Sequence, residues 1–582
     1  MDANARMGKR RLSRRSAVAA SLIVAVLAIS SWGDTRSGSS STVDMVSVIV
    51  RTLPGSPQAA ERAVEREGGI TVRRIGIIGG LVAEVPRASL DRLSAESGIL
   101  AVTRNGRVQL AAATNGYDAG TDPYSLYTIA QKVTGASSYW AKGFTGKGVD
   151  VALIDSGVAN VQGLNDAGKV VYGPDFSVES QAPNLRNKDA FGHGTHMAGI
   201  IAGRDSATAV KAGNTSRFLG IAPDARVVSV KVADAQGWTD VSQVIAGIDW
   251  VVNHTRSDGL NIRVLNLSFG SYGLQSYLLD PLSYAAEVAW RKGLVVVVSA
   301  GNRGGESIGM TNPAIDPYVI AVGGYTDPGG LYGTSDATIP SWSSRGDGVR
   351  NPDVVAPGTS VASLRVPASD IDQLFPSARV GGRFFRGSGS SQATAVVSGA
   401  AALILQQRPT ISPDQIKALL RQSATKIPSA TVAAQGAGAL DLKVALGKTT
   451  PSALLTKQLF VPATGLGSLE AARGSLRIVD GTVALTGEQD LFGVGWDAVA
   501  WTDQFLRGVT WVGGVWRTVD WAGATWTAND FAGRTWSGRT WSDNTWDGRT
   551  WSGRSWSGRS WSGRSWSGRS WSDEGWSARS WD

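Results

Sequence analysis

Four short stretches of this 582-residue chain carry side chains suited to bond-breaking chemistry, and each lies in a glycine-rich turn. Asp155 ends the run Val-Ala-Leu-Ile-Asp before Ser156-Gly157; a lone Asp-Ser-Gly at a strand end is usually a turn. His193 lies in Gly-His-Gly-Thr-His-Met-Ala-Gly, where two of the protein's three histidines stand three residues apart. Glycines beside a histidine would let a substrate backbone come close. The competing readings are a metal pair or a buried structural histidine, although no third ligand is offered nearby. Asn302 closes Val-Val-Val-Val-Ser-Ala-Gly-Asn, and Asn at a turn is ordinary by itself. Ser391 lies in Gly-Ser-Gly-Ser-Ser-Gln-Ala-Thr-Ala, directly before the small apolar run Val396–Leu405, which reads as a helix. A nucleophile at a helix N-terminus has the unpaired N–H groups of the first turn available to a developing oxyanion.

The elements that must position these groups are legible around them. Val149–Ile154, Val227–Val232, Val264–Leu267 and Leu294–Val298 are near-continuous apolar runs, the pattern of parallel strands buried on both faces. Ser242–Asn253 and Ser283–Lys292 predict crossover helices between them. The span 124–448 therefore reads as an α/β domain with a doubly wound parallel sheet. In such sheets functional groups collect beyond the carboxyl ends of the strands, where Asp155 and Asn302 both fall.

The ordered set Asp155, His193, Asn302 and Ser391, each in its own Gly-rich turn, resembles the subtilisin-like serine proteases (subtilases). The order Asp, His, Ser is that family's established one, so the match rests on recognising it. The resemblance covers about Tyr124–Gly447 and includes Asp353-Val354-Val355-Ala356-Pro357-Gly358 before the serine. It implies that Ser391 attacks a peptide carbonyl, that His193 relays the proton and that Asp155 orients the imidazole. The Asn302 amide and the Ser391 N–H would hold the oxyanion. It further implies that Ser268-Phe269-Gly270 pairs with the substrate backbone and that Ser299-Ala300-Gly301 forms the opposite wall of the first specificity pocket. Backbone pairing gives affinity with little sequence choice, so the expected activity is serine endopeptidase cleavage of protein or peptide substrates. No cofactor is expected for the chemistry and no metal ligand is assigned. The family's calcium-binding loops do not map cleanly after Gly203, which leaves structural calcium open and unassigned. The chain departs from the family at Gln392, commonly Met, and at Ala395, commonly Pro. His196 and His254 are expected to be structural. A His193 of near-ordinary pKa implies loss of activity below about pH 6.

Before this domain, Val46–Thr52, a helix opened by Ser56-Pro57, Ile70–Ile75, Leu81–Val85, Ala88–Ser97 and Ile99–Val102 give the order βαββαβ. That order predicts a ferredoxin-like α+β unit over 44–110. Beside a subtilase domain it resembles the family's propeptide, an intramolecular inhibitor removed on activation. A polar Gly- and Ala-rich stretch, 111–123, reads as a cleavable linker. Residues 1–33 join a basic start to the apolar run Ala17–Ile29 and small residues, the signature of an export signal. A short membrane anchor is the competing reading, and the Sec and twin-arginine routes stay open. The expected location is extracellular or cell-surface associated.

The composition narrows the field. Cysteine is absent, which excludes thiol catalysis, disulfides and Cys-ligated metal. No apolar run reaches the roughly 18 residues of a membrane span. The net charge of +9 is concentrated at the ends: +5 in residues 1–16 and +3 in 533–582, against +1 between. The body of the chain therefore has little to offer phosphates, and no nucleic-acid partner is expected. A Gly-punctuated connector, 449–495, precedes a period-five region, 496–582, in which sixteen of eighteen positions at that spacing are Trp. This tail reads as a stacked solenoid or as disordered. Its Trp and Arg side chains suit a cell-wall or surface ligand through stacking and cation–π contacts; the alternative is a spacer. The rival to a monomeric protease is a degenerate protease scaffold that binds surfaces through this tail.

Overall fold

The computed structural model describes residues 44–52, 57–75, 80–104, 117–181, 185–205, 210, 217–273, 275–304, 309–329, 333–474, 476–480, 483–491, 493–512, 514–517, 519–520, 530–531 and 534–535. The expected signal at 1–33, residues 111–116 of the expected linker and the repeat units beyond Thr535 lie outside the described residues. The chain divides into two compact units.

The first unit runs β1 (Met45–Thr52), α1 (Pro57–Arg66), β2 (Ile70–Ile75), β3 (Gly80–Pro86), α2 (Leu90–Ser94) and β4 (Ile99–Arg104). Its sheet order is β2-β3-β1-β4, with β1 antiparallel to both β3 and β4. This is the ferredoxin-like order that the βαββαβ pattern predicts. Alternation along β1 buries Val48 and Val50, which meet Ala60, Ala63 and Val64 from α1 and Leu93 from α2. The second helix is shorter than the sequence pattern suggests, because a 3-10 turn, Arg87–Ser89, takes up its start.

The second unit is built on seven parallel strands: β5 (Asp150–Asp155), β6 (Val170–Asp175), β7 (Arg226–Lys231), β8 (Ile262–Leu267), β9 (Val295–Ser299), β10 (Ile320–Tyr325) and β11 (Val354–Pro357). They lie in the order β11-β10-β9-β8-β5-β7-β6, and every neighbouring pair is parallel. Sequence order reverses on the two sides of β5, which creates the crevice where doubly wound sheets place their functional groups. Strands β5, β9, β10 and β11 are buried along their full length, as their unbroken apolar runs require. The crossover helices are α3 (His193–Ala202), α4 (Val241–Asn253) and α5 (Pro281–Arg291). Asp240 caps α4 in a reciprocal capping box with Gln243, and Asp280 with Pro281 opens α5. The long helix α6 (Ser390–Gln407) is almost wholly buried. It begins at Ser390, one residue before the nucleophile candidate and earlier than the apolar run alone indicates.

Two boundaries differ from the sequence reading. The described part of the expected linker is bound to the second unit: Tyr117 packs on Phe384 at 5.5 Å between ring centroids, and Asp122 pairs with Arg386. Nor does the core stop at 448. Ala463, Leu469, Leu485, Leu491, Trp501, Phe505 and Trp516 are all buried in the main core. The reason is long-range anchoring that a composition shift hides. Buried Asp249 on α4 accepts hydrogen bonds from Thr510 Oγ1 (2.5 Å) and Trp516 Nε1 (2.8 Å). Tyr284 on α5 meets the rings of Trp501 and Phe505 at 5.5 and 6.2 Å. The opening rungs of the tryptophan ladder are thus core residues, and only Trp516 of the Trp511↔Trp516 strand pair is fully enclosed.

Candidate active site

Asp155 and His193 are brought together by a strand end and a helix start. Asp155 is the last residue of β5 and is buried, while His193 is the first residue of α3 and keeps a quarter of its side chain exposed. The imidazole Nδ1 lies 2.8 Å from Asp155 Oδ1 and 3.0 Å from Oδ2. Nδ1 must therefore carry its proton, which leaves Nε2 as the basic nitrogen. Burial alone would push the His193 pKa down. The neighbouring Asp155 carboxylate, with Asp189 behind it, reverses this and raises it.

The glycines beside His193 serve internal packing. Gly192 has φ 101°, open to glycine at little cost. A β-carbon on Gly194 would run into the carbonyl oxygen of Gly157, in the turn after Asp155. Asp189 locks this junction. It accepts hydrogen bonds from Gly192 N–H (2.6 Å), Thr195 N–H (2.7 Å) and Ser156 Oγ (2.8 Å). Ser156 Oγ in turn accepts the Gly194 N–H at 2.9 Å. Asp189 is invisible to motif reading because a single buried acid four residues before a histidine carries no distinctive pattern.

Asn302 and Ser391 meet at the start of α6. Asn302 Oδ1 accepts the N–H and the Oγ–H of Ser390, both at 2.8 Å. Its acceptor end is thereby occupied, and its Nδ2 donor end faces Gly389, where a β-carbon would lie 3.2 Å away. Ser390 Oγ also bonds Ser299 Oγ (2.6 Å) and accepts Gly301 N–H (3.2 Å). Ser391 N–H belongs to the first turn of α6 and has no intrahelical partner. Ser391 Oγ–H donates to the carbonyl oxygen of Ser268 at 2.7 Å, and not to His193.

The two candidate walls flank this point. Ser268, Phe269 and Gly270 follow β8; Ser299, Ala300 and Gly301 end β9. Ser268 Oγ donates to Asn266 Oδ1 (2.8 Å) and to Ser391 O (3.1 Å), tying the first wall to α6. Thr311, which no motif signals, lies between the walls. A β-carbon on Gly270 would strike its Cβ, and one on Gly301 would lie 2.8 Å from its Cγ2. Thr311 Oγ1 donates to Ser299 O at 2.9 Å. Tyr272 is equally silent in the sequence; its hydroxyl accepts the Asn302 N–H at 3.3 Å.

The other two histidines hold contacts of their own. His196 Nε2 donates to Phe385 O (3.0 Å), and burial pulls its pKa down to about 4. His254 donates from Nδ1 to Trp250 O (2.7 Å) and stacks on that ring. Among the described residues, no group of three or more His, Asp or Glu is arranged to hold a metal ion. No helix among them is long and apolar enough to cross a membrane.

Comparison with known proteins finds relatives of the second unit. The subtilase family model matches residues 146–438. The chain is 37% identical over 303 residues to serine protease AprX of Bacillus subtilis (strain 168), across 51% of this chain and 66% of AprX. It is 34% identical over 314 residues to subtilisin DY of Bacillus licheniformis, across 53% of this chain and 93% of that protein. With subtilisin Savinase of Lederbergia lenta it shares 33% over 295 residues, across 51% of this chain and 90% of Savinase. The chain belongs to the subtilase family and is a serine-type endopeptidase.

Proposed function

We propose that this protein cleaves peptide bonds through an acyl-enzyme on Ser391, and that it is made as an exported zymogen. The observation that carries the catalytic part is the Asp155 carboxylate on His193 Nδ1, which leaves Nε2 free to take a proton. The Ser391 hydroxyl, hydrogen-bonded to Ser268 O in the free protein, would rotate to His193 Nε2 as a substrate strand occupies the Ser268–Gly270 edge. Its Oγ then attacks the carbonyl carbon and its proton passes to Nε2. The tetrahedral oxyanion is met by Asn302 Nδ2 and the Ser391 N–H, both held before the reaction begins. His193 returns the proton to the leaving amine, and water enters by the same route to release the acyl group. This chemistry uses side chains and backbone alone and calls for no cofactor.

The zymogen reading rests on the ferredoxin-like unit preceding the catalytic one, with the cut expected within 105–123, around the linker 111–123. The signal-like residues 1–33 support export to the cell surface or beyond. The Trp/Arg repeat beyond Thr535 would hold the enzyme to a cell-wall or surface ligand. Intact-mass analysis of purified full-length protein beside Ser391→Ala tests the zymogen. Wild type is expected to lose its N-terminal unit with a cut between 105 and 123 and to digest casein, while the variant stays whole. A variant that is trimmed identically would show that an outside protease matures the protein.

A further inference from the structure

We propose that residues 468–474, well beyond the end of the family match, act on catalysis by bracing the loop Ser271–Gly273, and that Ser271 and Tyr272 are positioning residues for the substrate edge and the oxyanion amide. The proposal rests on the reading of Ser268–Gly270 and Asn302 given above.

The brace is built from a short helix, α7 (Leu469–Arg473), capped by Ser468, whose Oγ accepts the Ala471 N–H. Glu488 closes the same end by accepting the Leu469 N–H at 2.9 Å. The C-terminal carbonyls of this helix are where the loop attaches. Ser271 is fully buried, and its Oγ donates to Ala472 O (2.6 Å) and Arg473 O (2.8 Å). Gly474 follows at φ 48°, so close to the loop that a β-carbon would lie 2.5 Å from Gly273 N and from Tyr272 C. On the opposite side Ser271 exchanges backbone hydrogen bonds with Asn312, both 2.8 Å. The loop is thus clamped between α7 and the segment that carries Thr311.

Two features make this a device of the site and not of the fold alone. The clamped residue directly follows Gly270, so the position of Ser271 sets where the Ser268–Gly270 edge ends. The next residue, Tyr272, places its hydroxyl on the Asn302 N–H at 3.3 Å, and a β-carbon on Gly301 would lie 3.1 Å from that oxygen. The helix cannot drift, because Arg473 is wholly buried and its Nε donates to Asp240 Oδ2 at 2.8 Å. Asp240 is the N-cap of α4. Arg473 Nη1 also donates to Glu470 Oε2 (2.8 Å) and Gly487 O (2.5 Å). A buried guanidinium with each of its three nitrogens hydrogen-bonded, Nη2 to Gln489 O, fixes geometry through directional charge-assisted bonds.

The test uses full-length protein with Ser271→Ala and Tyr272→Phe, two changes that remove one oxygen each. For every protein the fraction of Ser391 reacting with a fluorophosphonate probe is counted first. Then kcat and KM are measured for an extended peptide and for a single-residue ester that cannot pair along the edge. Ser271→Ala is expected to raise KM about 5- to 10-fold for the peptide and to leave the ester's KM unchanged, the loss of roughly one hydrogen bond's worth of edge positioning. Tyr272→Phe is expected to lower kcat about 3- to 10-fold on both substrates at constant KM, because the main chain it steadies at Asn302 carries the side-chain amide that acts in the transition state. Variants whose peptide and ester constants change only in step with the labelled fraction overturn the brace. A wild type that does not label at Ser391 overturns the reading of the site, and the brace with it.

Discussion

Asp155 holds His193 Nδ1 with both carboxylate oxygens, at 2.8 and 3.0 Å, from the end of one strand to the start of one helix. Burial would lower the imidazole pKa, but this carboxylate raises it on balance above its ordinary value of 6.5. The base works only when neutral, so activity should appear as pH rises through the raised pKa and vanish below it. The acid limb of kcat/KM is therefore expected above the 6.5 of an ordinary histidine, higher than a His193 of near-ordinary pKa would place it. Asp155→Asn should move that limb down and lower kcat on the order of 10⁴-fold, as the equivalent change does in a trypsin-type triad. A pH–rate profile of both proteins checks this. An acid limb unmoved by the substitution would detach the titration from His193.

The amide of Asn302 is oriented by Ser390, which donates to its Oδ1 from both N–H and Oγ. Asn302→Ala should cost about 100–1,000-fold in kcat with KM little changed, the magnitude established for this donor in subtilisin itself. Ser390→Ala removes one of the two anchors and should cost about 5- to 10-fold, again in kcat. Steady-state kinetics on one peptide substrate separates the two. Equal losses in the variants would mean that Ser390 has a larger part than orientation.

Thr311 fills the space between Gly270 and Gly301. Its removal should enlarge the first specificity pocket that the subtilase resemblance assigns between these two walls. Thr311→Gly is expected to raise kcat/KM for a large aromatic residue at the cleaved position relative to alanine by about 10-fold or more. Paired peptides differing only at that residue measure the ratio. An unchanged ratio would place the specificity pocket elsewhere.

The C-terminal segment should also be visible in stability. Trp516 is fully buried, and its indole N–H reaches the Asp249 carboxylate at 2.8 Å. Trp516→Ala should destabilise the second unit by about 3–5 kcal/mol. Breaking the Arg473–Asp240 pair by Arg473→Met leaves the buried Asp240 carboxylate without its countercharge and should cost a similar amount, about 3–5 kcal/mol. Truncation after Thr535 removes neither contact and should leave the denaturation midpoint unchanged. Denaturant titration of the three proteins distinguishes these cases.

What the sequence makes legible follows from where each group sits. Asp155, Asn302 and Ser391 stand at the ends of unbroken apolar strands or at the start of a helix, and those runs announce both the element and its terminus. The first unit is readable for the same reason, since its alternation is regular and its helix opens at a proline. The partners of these groups are not readable. Asp189, Tyr272 and Thr311 lie in irregular segments with no period to betray them. Their roles depend on contacts with residues remote in the chain, such as the Tyr272 hydroxyl on the Asn302 N–H. The region after 448 misleads because it is held by separate anchors, among them Arg473, Trp501 and Trp516, whose partners lie far back in the chain. The period-five tryptophans suggest one uniform array, yet the first of them are committed to the core.

The central claim is that Ser391, activated by His193, is the nucleophile. Its most direct test is reaction with a fluorophosphonate followed by peptide mass mapping, on wild type and on His193→Ala. The account predicts one adduct, on Ser391, formed rapidly in wild type and at least about 1,000-fold more slowly in the variant. An adduct on another residue, or equal rates in the two proteins, would contradict it.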